Sequence, residues 1–311
     1  IPGHLTFALR YEGVDLSLLK ALFNIINPEI IGRWVRAEPT GRYSRRIWFL
    51  FEWLMGQTVD VPDTIHGNYI DALDTRKQFG TPRSTASRRH RVNNNMPGIP
   101  GFCPLVQRSE ILDKLIPDTL DILNHKGFLV NEQQLQRIAN YWAAKEANKT
   151  YSHHELATSN LWLKLLRSSG KPLLSSEEVL RLQSVIIKDD RFVKLGLRED
   201  DDYIGDCEPS TGLPIPYHIS ASSKDVPGLL EDLLEAYRHG NSLGMDPLLL
   251  AATVASGYHL IQPLSNGNRH LERYVIHHVL EQMGFASTNF VFLLSGILQS
   301  KSDQYREAIK A

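Results

Sequence analysis

The sequence predicts an all-α protein with one β-hairpin, and three observations support this prediction. Apolar residues recur at helical spacing over most of the 311 residues. The segment from Arg191 to Ala221 instead holds two short extended runs around a turn rich in Pro and Gly, a pattern typical of a hairpin. Breaking residues are dense only between Val59 and Pro104, which predicts an ordered, irregular connection. Hydrophobic residues make up 42% of the chain, which is enough for a sizeable core.

The N-terminal part, residues 1–105, is predicted to be a helical and irregular region. Apolar residues follow helical spacing over 16–23 and again over 48–54, before the irregular connection begins. The second domain is predicted to span residues 106–311.

In the second domain the helices resume near Ser109 and continue to about Arg167. Ser175 is placed to cap the next helix, because a glutamate follows three residues later. The hairpin is predicted over about 203–219. Three further helices follow, each with a favoured start or a clear stop, over 226–237, 247–261 and 268–284.

The most informative stretch is 261–273, where one helix ends, a short loop follows and the next helix begins. Gly267 and Asn268 lead into that helix, whose first N–H groups have no partner within the helix. A helix N-terminus of this kind is a ready site for an anion such as phosphate. Loops of this composition are common, so the loop alone is weak evidence.

Together with its flanks, the stretch resembles the signature of the Fic family, His-Pro-Phe-x-Asp/Glu-Gly-Asn-Gly-Arg-x-x-Arg. Pro263, Gly267, Asn268 and Arg273 match it in register and without gaps. The similarity covers roughly residues 140–310. It implies the Fic fold, a helical bundle with a β-hairpin flap, here preceded by an N-terminal helical region. It also implies a relation to enzymes that transfer AMP from ATP to a protein hydroxyl.

The sequence departs from this signature at the two positions that matter most for catalysis. In active members the motif His is the general base and the acidic residue binds Mg²⁺, but here these positions hold Gln262 and Asn266. An amide does not accept a proton near neutral pH, and it is a poor ligand for a hard dication. We therefore expect a pseudoenzyme in which AMP transfer is impaired. ATP remains a candidate ligand, and we do not expect its binding to depend on Mg²⁺. Without the resemblance, Gln262 is simply a helix C-cap residue and Asn266 a turn former.

The resemblance assigns nucleotide and phosphate binding to the start of the second helix, at Gly267, Asn268, Arg269, His270 and Arg273. Arg269 replaces the second glycine of the signature and His270 replaces an arginine. A side chain thus projects where backbone would approach phosphate. His259 lies on the same helix face as Gln262 and His270 begins the next helix, so either could reach the site. A histidine near a helix end is more often a surface or capping residue, so we do not expect a replacement base.

Two further features follow from the resemblance. Many Fic proteins carry an inhibitory glutamate that pairs with the last arginine of the motif, and Glu155 is the candidate here, with an ordinary surface glutamate as the equal alternative. The flap residues Tyr217, His218 and Ile219 are implied to hold a segment of a protein target or partner by main-chain pairing.

Two other functions remain open. The first is an enzyme with altered phosphoryl- or nucleotidyl-transfer chemistry, with Arg269, His270 and Arg273 as a cationic clamp. The second is a nucleic-acid-binding module that uses N-terminal basic clusters, namely Arg42, Arg45, Arg46, Arg83, Arg88, Arg89 and Arg91. A net charge of -1 gives no global field for nucleic acid or an anionic membrane, so we expect neither as a partner.

Composition also predicts where the protein resides. The chain has two cysteines without metal-type spacing, no signal pattern at its N-terminus and no apolar stretch long enough to span a bilayer. We expect a cytoplasmic protein, leave open whether it forms a homodimer, and expect the natural chain to continue beyond Ala311.

Overall fold

A computed structural model describes residues 1–125, 132–150, 175–187, 193–285, 291–292 and 294–310. The chain divides into two compact units, one made of Ile1–His125 with His239–Asp246 and the other of Lys126–Arg238 with Pro247–Ala311. Over the described ranges there are twelve helices, one hairpin and one small sheet. The predicted all-α class with a hairpin is confirmed. The division into 1–105 and 106–311 stays a prediction.

The first unit is built around one buried helix. Its helices are α1 (Pro2–Tyr11), α2 (Leu16–Ile25), α3 (Glu29–Ala37), α4 (Arg42–Met55) and α5 (Glu110–His125). Helices α1, α2 and α3 all pack against α4, in which Ile47, Trp48, Leu50 and Phe51 are fully buried. Helix α4 ends at Gly56, whose φ of 63° is the left-handed conformation that closes many helices.

The irregular connection of this unit contains three very short strands. They are β1 (Ile70–Asp71), β2 (Thr85–Ser87) and β3 (Val92–Asn94). Strand β3 is central, parallel to β1 and antiparallel to β2. The sequence does not predict this sheet, because strands of two or three residues are too short to show a period of two.

The second unit holds the loop singled out by the sequence. Its helices are α6 (Glu132–Thr150), α7 (Ser176–Ile186), α8 (Val226–Ser242, whose last four residues belong to the first unit), α9 (Pro247–Ile261), α10 (Asn268–Gln282), α11 (Leu294–Ser300) and α12 (Ser302–Lys310). The predicted cap of α7 is confirmed, since the Ser175 hydroxyl accepts a hydrogen bond from Glu178 N at 3.2 Å. Helices α9 and α10 pack against each other, which fixes the loop between them.

The predicted hairpin is also confirmed. It consists of β4 (Tyr203–Cys207) and β5 (Pro214–Ile219), paired antiparallel from Tyr203 opposite Ile219 to Cys207 opposite Pro214. The register shifts between Ile204 and Gly205. A Cβ atom at Gly205 would lie 2.2 Å from the Ile215 carbonyl oxygen, so only glycine fits this irregularity. Strand β5 packs against α12.

Among the helices that the structure describes, none combines the length and the apolar character needed to cross a membrane.

Candidate functional site

The loop between α9 and α10 is held in a fixed conformation by a buried arginine. Gln262, the first residue after α9, has a φ of 48°, which is uncommon for a residue other than glycine. Arg198 donates from Nε to the Gln262 carbonyl at 2.8 Å and from Nη2 to the Ile261 carbonyl at 3.0 Å. Its backbone N donates to the Pro263 carbonyl at 3.0 Å. These bonds over-determine the left-handed backbone at Gln262.

The two asparagines of the loop are used to shape it. Asn268 is buried, accepts from Leu264 N at 2.9 Å and donates to Leu264 O at 2.8 Å. Asn266 is exposed and donates from Nδ2 to the Lys194 carbonyl at 3.3 Å. Gln183 donates to the Asn266 carbonyl at 2.9 Å. Gly267 provides the left-handed turn, with a φ of 90°, from which α10 starts.

A cavity of about 530 Å³ lies beside this loop within the second unit. Residues of the hairpin, of α9 and α10 with the loop between them, and of α11 and α12 line it. Its ionisable lining comprises three arginines and one glutamate, together with a histidine and three tyrosines. An anionic ligand is therefore favoured over a cation. The first unit has a smaller cavity of about 240 Å³ with a mainly apolar lining.

Some of the predicted site residues line the larger cavity and others do not. Gln262, Arg269, Arg273 and the flap residue Tyr217 line it. The remaining predicted residues, all of which are described, are not part of its lining: Asn266, Gly267, Asn268, His270, His218 and Ile219.

Gln262 and His270 are both poorly suited to move a proton at neutral pH. The Gln262 amide donates from Nε2 to the His259 carbonyl at 2.7 Å, so its N–H is used by the helix that it terminates. Burial lowers the pKa of His270 to about 4, and the charges of Arg273 and Arg269 lower it further. His270 is therefore neutral at pH 7 and adds no positive charge to the two arginines.

Arg273 is a buried cation beside a buried carboxylate. Its exposed fraction is 5%, and its Nε lies 4.0 Å from Glu146 Oε1 on α6. Glu146 Oε1 also accepts a hydrogen bond from Ser295 N at 2.7 Å. Burial lowers the pKa of Arg273, although the carboxylates of Glu272 and Glu146 oppose this effect. Arginine nevertheless stays charged.

Glu155, the predicted carboxylate for Arg273, lies outside the described residues. The carboxylate that the structure brings to Arg273 is Glu146, at the C-terminal part of α6. Sequence alone offers no signal that selects Glu146, because only tertiary packing decides which glutamate of this long helical stretch turns inward.

A hydrogen-bonded chain of three side chains was also missed by sequence reasoning. His259 Nδ1 lies 2.9 Å from Glu272 Oε2, and the Tyr305 hydroxyl donates to Glu272 Oε1 at 3.0 Å. Burial and the nearby Glu272 charge raise the pKa of Tyr305, so its hydroxyl remains a donor. All three residues line the cavity.

The residues of this site do not fit Mg²⁺. A Mg²⁺ ion needs oxygen ligands in near-octahedral geometry. Asn266 is not on the cavity wall, and Glu272, its single acidic lining residue, has both oxygens in hydrogen bonds. Within the described part of the chain, no three His, Cys, Asp or Glu residues are grouped to hold a metal ion.

Most of the N-terminal arginines are part of the fold of the first unit. Arg45 and Arg46 are buried, and they donate to the carbonyls of Asn68 at 2.9 Å and Asp71 at 3.0 Å. Arg89 pairs with Asp63 at 2.6 Å and also with Glu52. Arg91 donates to the Ile65 carbonyl. The exposed members of the two clusters are Arg42, Arg83 and Arg88.

Comparison with known proteins gives matches among solved structures. No protein-family model matches the chain, and no curated protein matches it in sequence. A Fic-domain-containing signaling protein from Bacteroides thetaiotaomicron VPI-5482 is similar with a TM-score of 0.38 and 18% identity, over 56% of this chain and 70% of that one. A Fic family protein from Desulfovibrio desulfuricans G20 is similar with a TM-score of 0.48 and 12% identity, over 66% of this chain and 67% of that one.

Proposed function

We propose that the second unit is a Fic-type domain that binds the phosphate groups of a nucleotide and does not carry out ordinary AMP transfer to proteins. One observation supports this most strongly. At the position of the motif base stands Gln262, whose amide is bonded to its own helix, while Arg269 and Arg273 line the adjacent cavity. Two cations suited to phosphate thus lie beside a motif position that offers no proton acceptor, which supports phosphate binding without AMP transfer.

The cavity has the size and charge that such a ligand requires. Pockets for small molecules and cofactors typically measure about 300–1,000 Å³, and this one measures about 530 Å³. Arginine binds phosphate through two parallel N–H donors, and a buried guanidinium such as that of Arg273 attracts an anion more strongly than one in water. ATP is the ligand we propose, and we expect Mg²⁺ to contribute little to its affinity.

A protein partner is the second element of this proposal. The hairpin carries Ile219, of which 72% is exposed, at the end of β5. His218 Nε2 lies 3.3 Å from the Leu260 carbonyl, which ties this strand to α9. An extended segment of another protein could add to the hairpin edge by main-chain hydrogen bonds without any catalysis.

Incubation with labelled ATP, Mg²⁺ and a cell lysate tests the loss of AMP transfer. We expect no labelling of protein hydroxyls or of the chain itself, and ATP binding by calorimetry that is nearly the same with and without Mg²⁺. The repaired variant Gln262→His, Asn266→Asp, Arg269→Gly, His270→Arg should restore labelling. Robust labelling by the unaltered chain would refute the proposal, and ATP binding that requires Mg²⁺ would refute the account of Asn266.

A further inference from the structure

A line of three side chains from three helices ends at the cavity. Tyr305 of α12 donates to one oxygen of Glu272 on α10, and His259 of α9 is bonded to the other oxygen. Glu272 and His259 are buried, with exposed fractions of 5% and 9%. Because both carboxylate oxygens are engaged, Glu272 cannot rotate away, and the orientation of the His259 ring is fixed.

This arrangement also bears on which nitrogen of His259 carries the hydrogen. In the tautomer in which Nδ1–H donates to the Glu272 carboxylate, Nε2 of the ring keeps a lone pair. His259 Nε2 is buried and has no hydrogen-bond partner among the residues that the structure describes. A buried acceptor without a partner requires an explanation, because such atoms are nearly always satisfied in folded proteins.

The surroundings of His259 Nε2 restrict what it can meet. His259 lines the same cavity as Arg269 and Arg273. The Tyr305 ring packs edge-on against the His259 ring, with centroids 5.4 Å apart. Nε2 itself has almost no accessible surface, so a water reaches it only after a small shift of the side chains around it.

We propose that His259 is a catalytic base that activates water, and that the cavity hydrolyses a phosphoanhydride bond of a bound nucleoside triphosphate. This inference rests on the proposed function, since the cavity must first bind the nucleotide. The water oxygen forms a bond to phosphorus as His259 Nε2 takes its proton. The phosphoanhydride P–O bond opposite the attacking water breaks, and the bridging oxygen keeps the electron pair on the leaving group, which is the nucleoside diphosphate for attack at the terminal phosphorus and pyrophosphate for attack at the α-phosphorus. Arg269 and Arg273 stabilise the charge that develops on the phosphoryl oxygens, and His259 then returns its proton to solvent.

The experiment measures phosphate or pyrophosphate release from ATP by the purified full chain, together with ATP binding by calorimetry. His259→Gln keeps a polar side chain but removes the base. We expect it to lower kcat about 100-fold, with KM nearly unchanged. His66→Gln makes the same chemical change at an exposed histidine of the first unit and should leave both constants unchanged.

A second variant guards against a folding defect. Tyr305→Phe keeps the ring that packs against His259 and removes only the hydrogen bond to Glu272 Oε1. Tyr305 is a positioning residue, so we expect a drop in kcat of about 10-fold, again with KM preserved. Far-UV circular dichroism and the ATP affinity of each variant show whether its fold is intact.

The outcomes separate this inference from the proposed function. If the unaltered chain binds ATP without hydrolysing it, or if a folded His259→Gln variant hydrolyses ATP at the original rate, the role of His259 is refuted while nucleotide binding stands. If the chain does not bind ATP at all, both proposals are wrong. Loss of kcat in His259→Gln and Tyr305→Phe, but not in His66→Gln, supports the base.

Discussion

Two pairs of arginines, one in each unit, are used in different ways. In the first unit, Arg45 and Arg46 are almost completely buried and donate to backbone carbonyls of the irregular connection. In the second unit, Arg269 and Arg273 line a cavity beside the loop that follows α9. A run of basic residues therefore says little about function. What matters is whether the side chain lines a cavity, as those of Arg269 and Arg273 do, although Arg273 also donates from Nη1 to the Arg269 carbonyl at 2.5 Å.

The largest expected effect concerns a structural arginine. Arg46→Ala would leave a hole in the first unit and remove the donor to the Asp71 carbonyl at 3.0 Å. We expect the free energy of unfolding to fall by about 2–4 kcal/mol, since a buried hydrogen bond and a large buried side chain are lost together. Denaturant unfolding measures the change.

Arg42→Ala is the matched control, because Arg42 is exposed on the same helix. Its effect should be within about 0.5 kcal/mol. If both substitutions lowered the free energy of unfolding equally, Arg46 would not be a residue that stabilises the fold.

The local features of this protein could be predicted from the sequence. The hairpin and the start of α9 depend on residues close together in the chain, such as the pair Asp246 and Pro247. The residue types of the motif loop were recognised for the same reason. The identity of Gln262 can be read directly from the sequence, and Pro263, which follows it, predicts its position at the end of α9.

The use of each side chain could not be predicted, because it depends on partners far away in sequence. Gln183 holds the Asn266 carbonyl from 83 positions away, and Tyr305 reaches Glu272 over 33 positions. His259 and Glu272 are separated by 13 positions across two helices, a spacing that no single-helix periodicity reveals. The expectation that His259 is only a surface or capping residue was wrong about its placement, since it is buried and lines the cavity. Whether it is a base stays a proposal.

The second largest expected effect is a loss of stability at low pH that depends on His270 and the positive charges near it. Its folded-state pKa is lowered to about 4 from a usual value of 6.5, first by burial and then by Arg273 and Arg269. As the pH falls from 6.5 towards 4, the unfolded chain takes up the proton before the folded chain does, so stability is lost. At pH 5 this group alone should cost about 2 kcal/mol relative to pH 7 or above.

His270→Gln should remove that part of the pH dependence, whereas His66→Gln at an exposed position should not. Urea unfolding at pH 7 and pH 5 compares the three proteins. ATP bound at Arg269 and Arg273 should also raise the pKa of His270, because the phosphates offset the two positive charges. A histidine titration by NMR that is unaffected by saturating ATP would place the phosphates elsewhere.

The smallest expected effect concerns Arg269, whose loss should weaken ATP binding and leave the free energy of unfolding almost unchanged. Arg269 is exposed and lines the cavity, so Arg269→Ala should change the free energy of unfolding by less than about 0.5 kcal/mol. Its loss should weaken ATP binding about tenfold, or about 1.4 kcal/mol, because one charge-assisted contact to phosphate disappears. Arg88→Ala, an exposed arginine of the first unit, is the control and should leave ATP affinity unchanged. Calorimetric titration of both variants measures the difference. Equal ATP affinities would mean that Arg269 makes no contact with the phosphates and that lining the cavity does not give an arginine a role in binding.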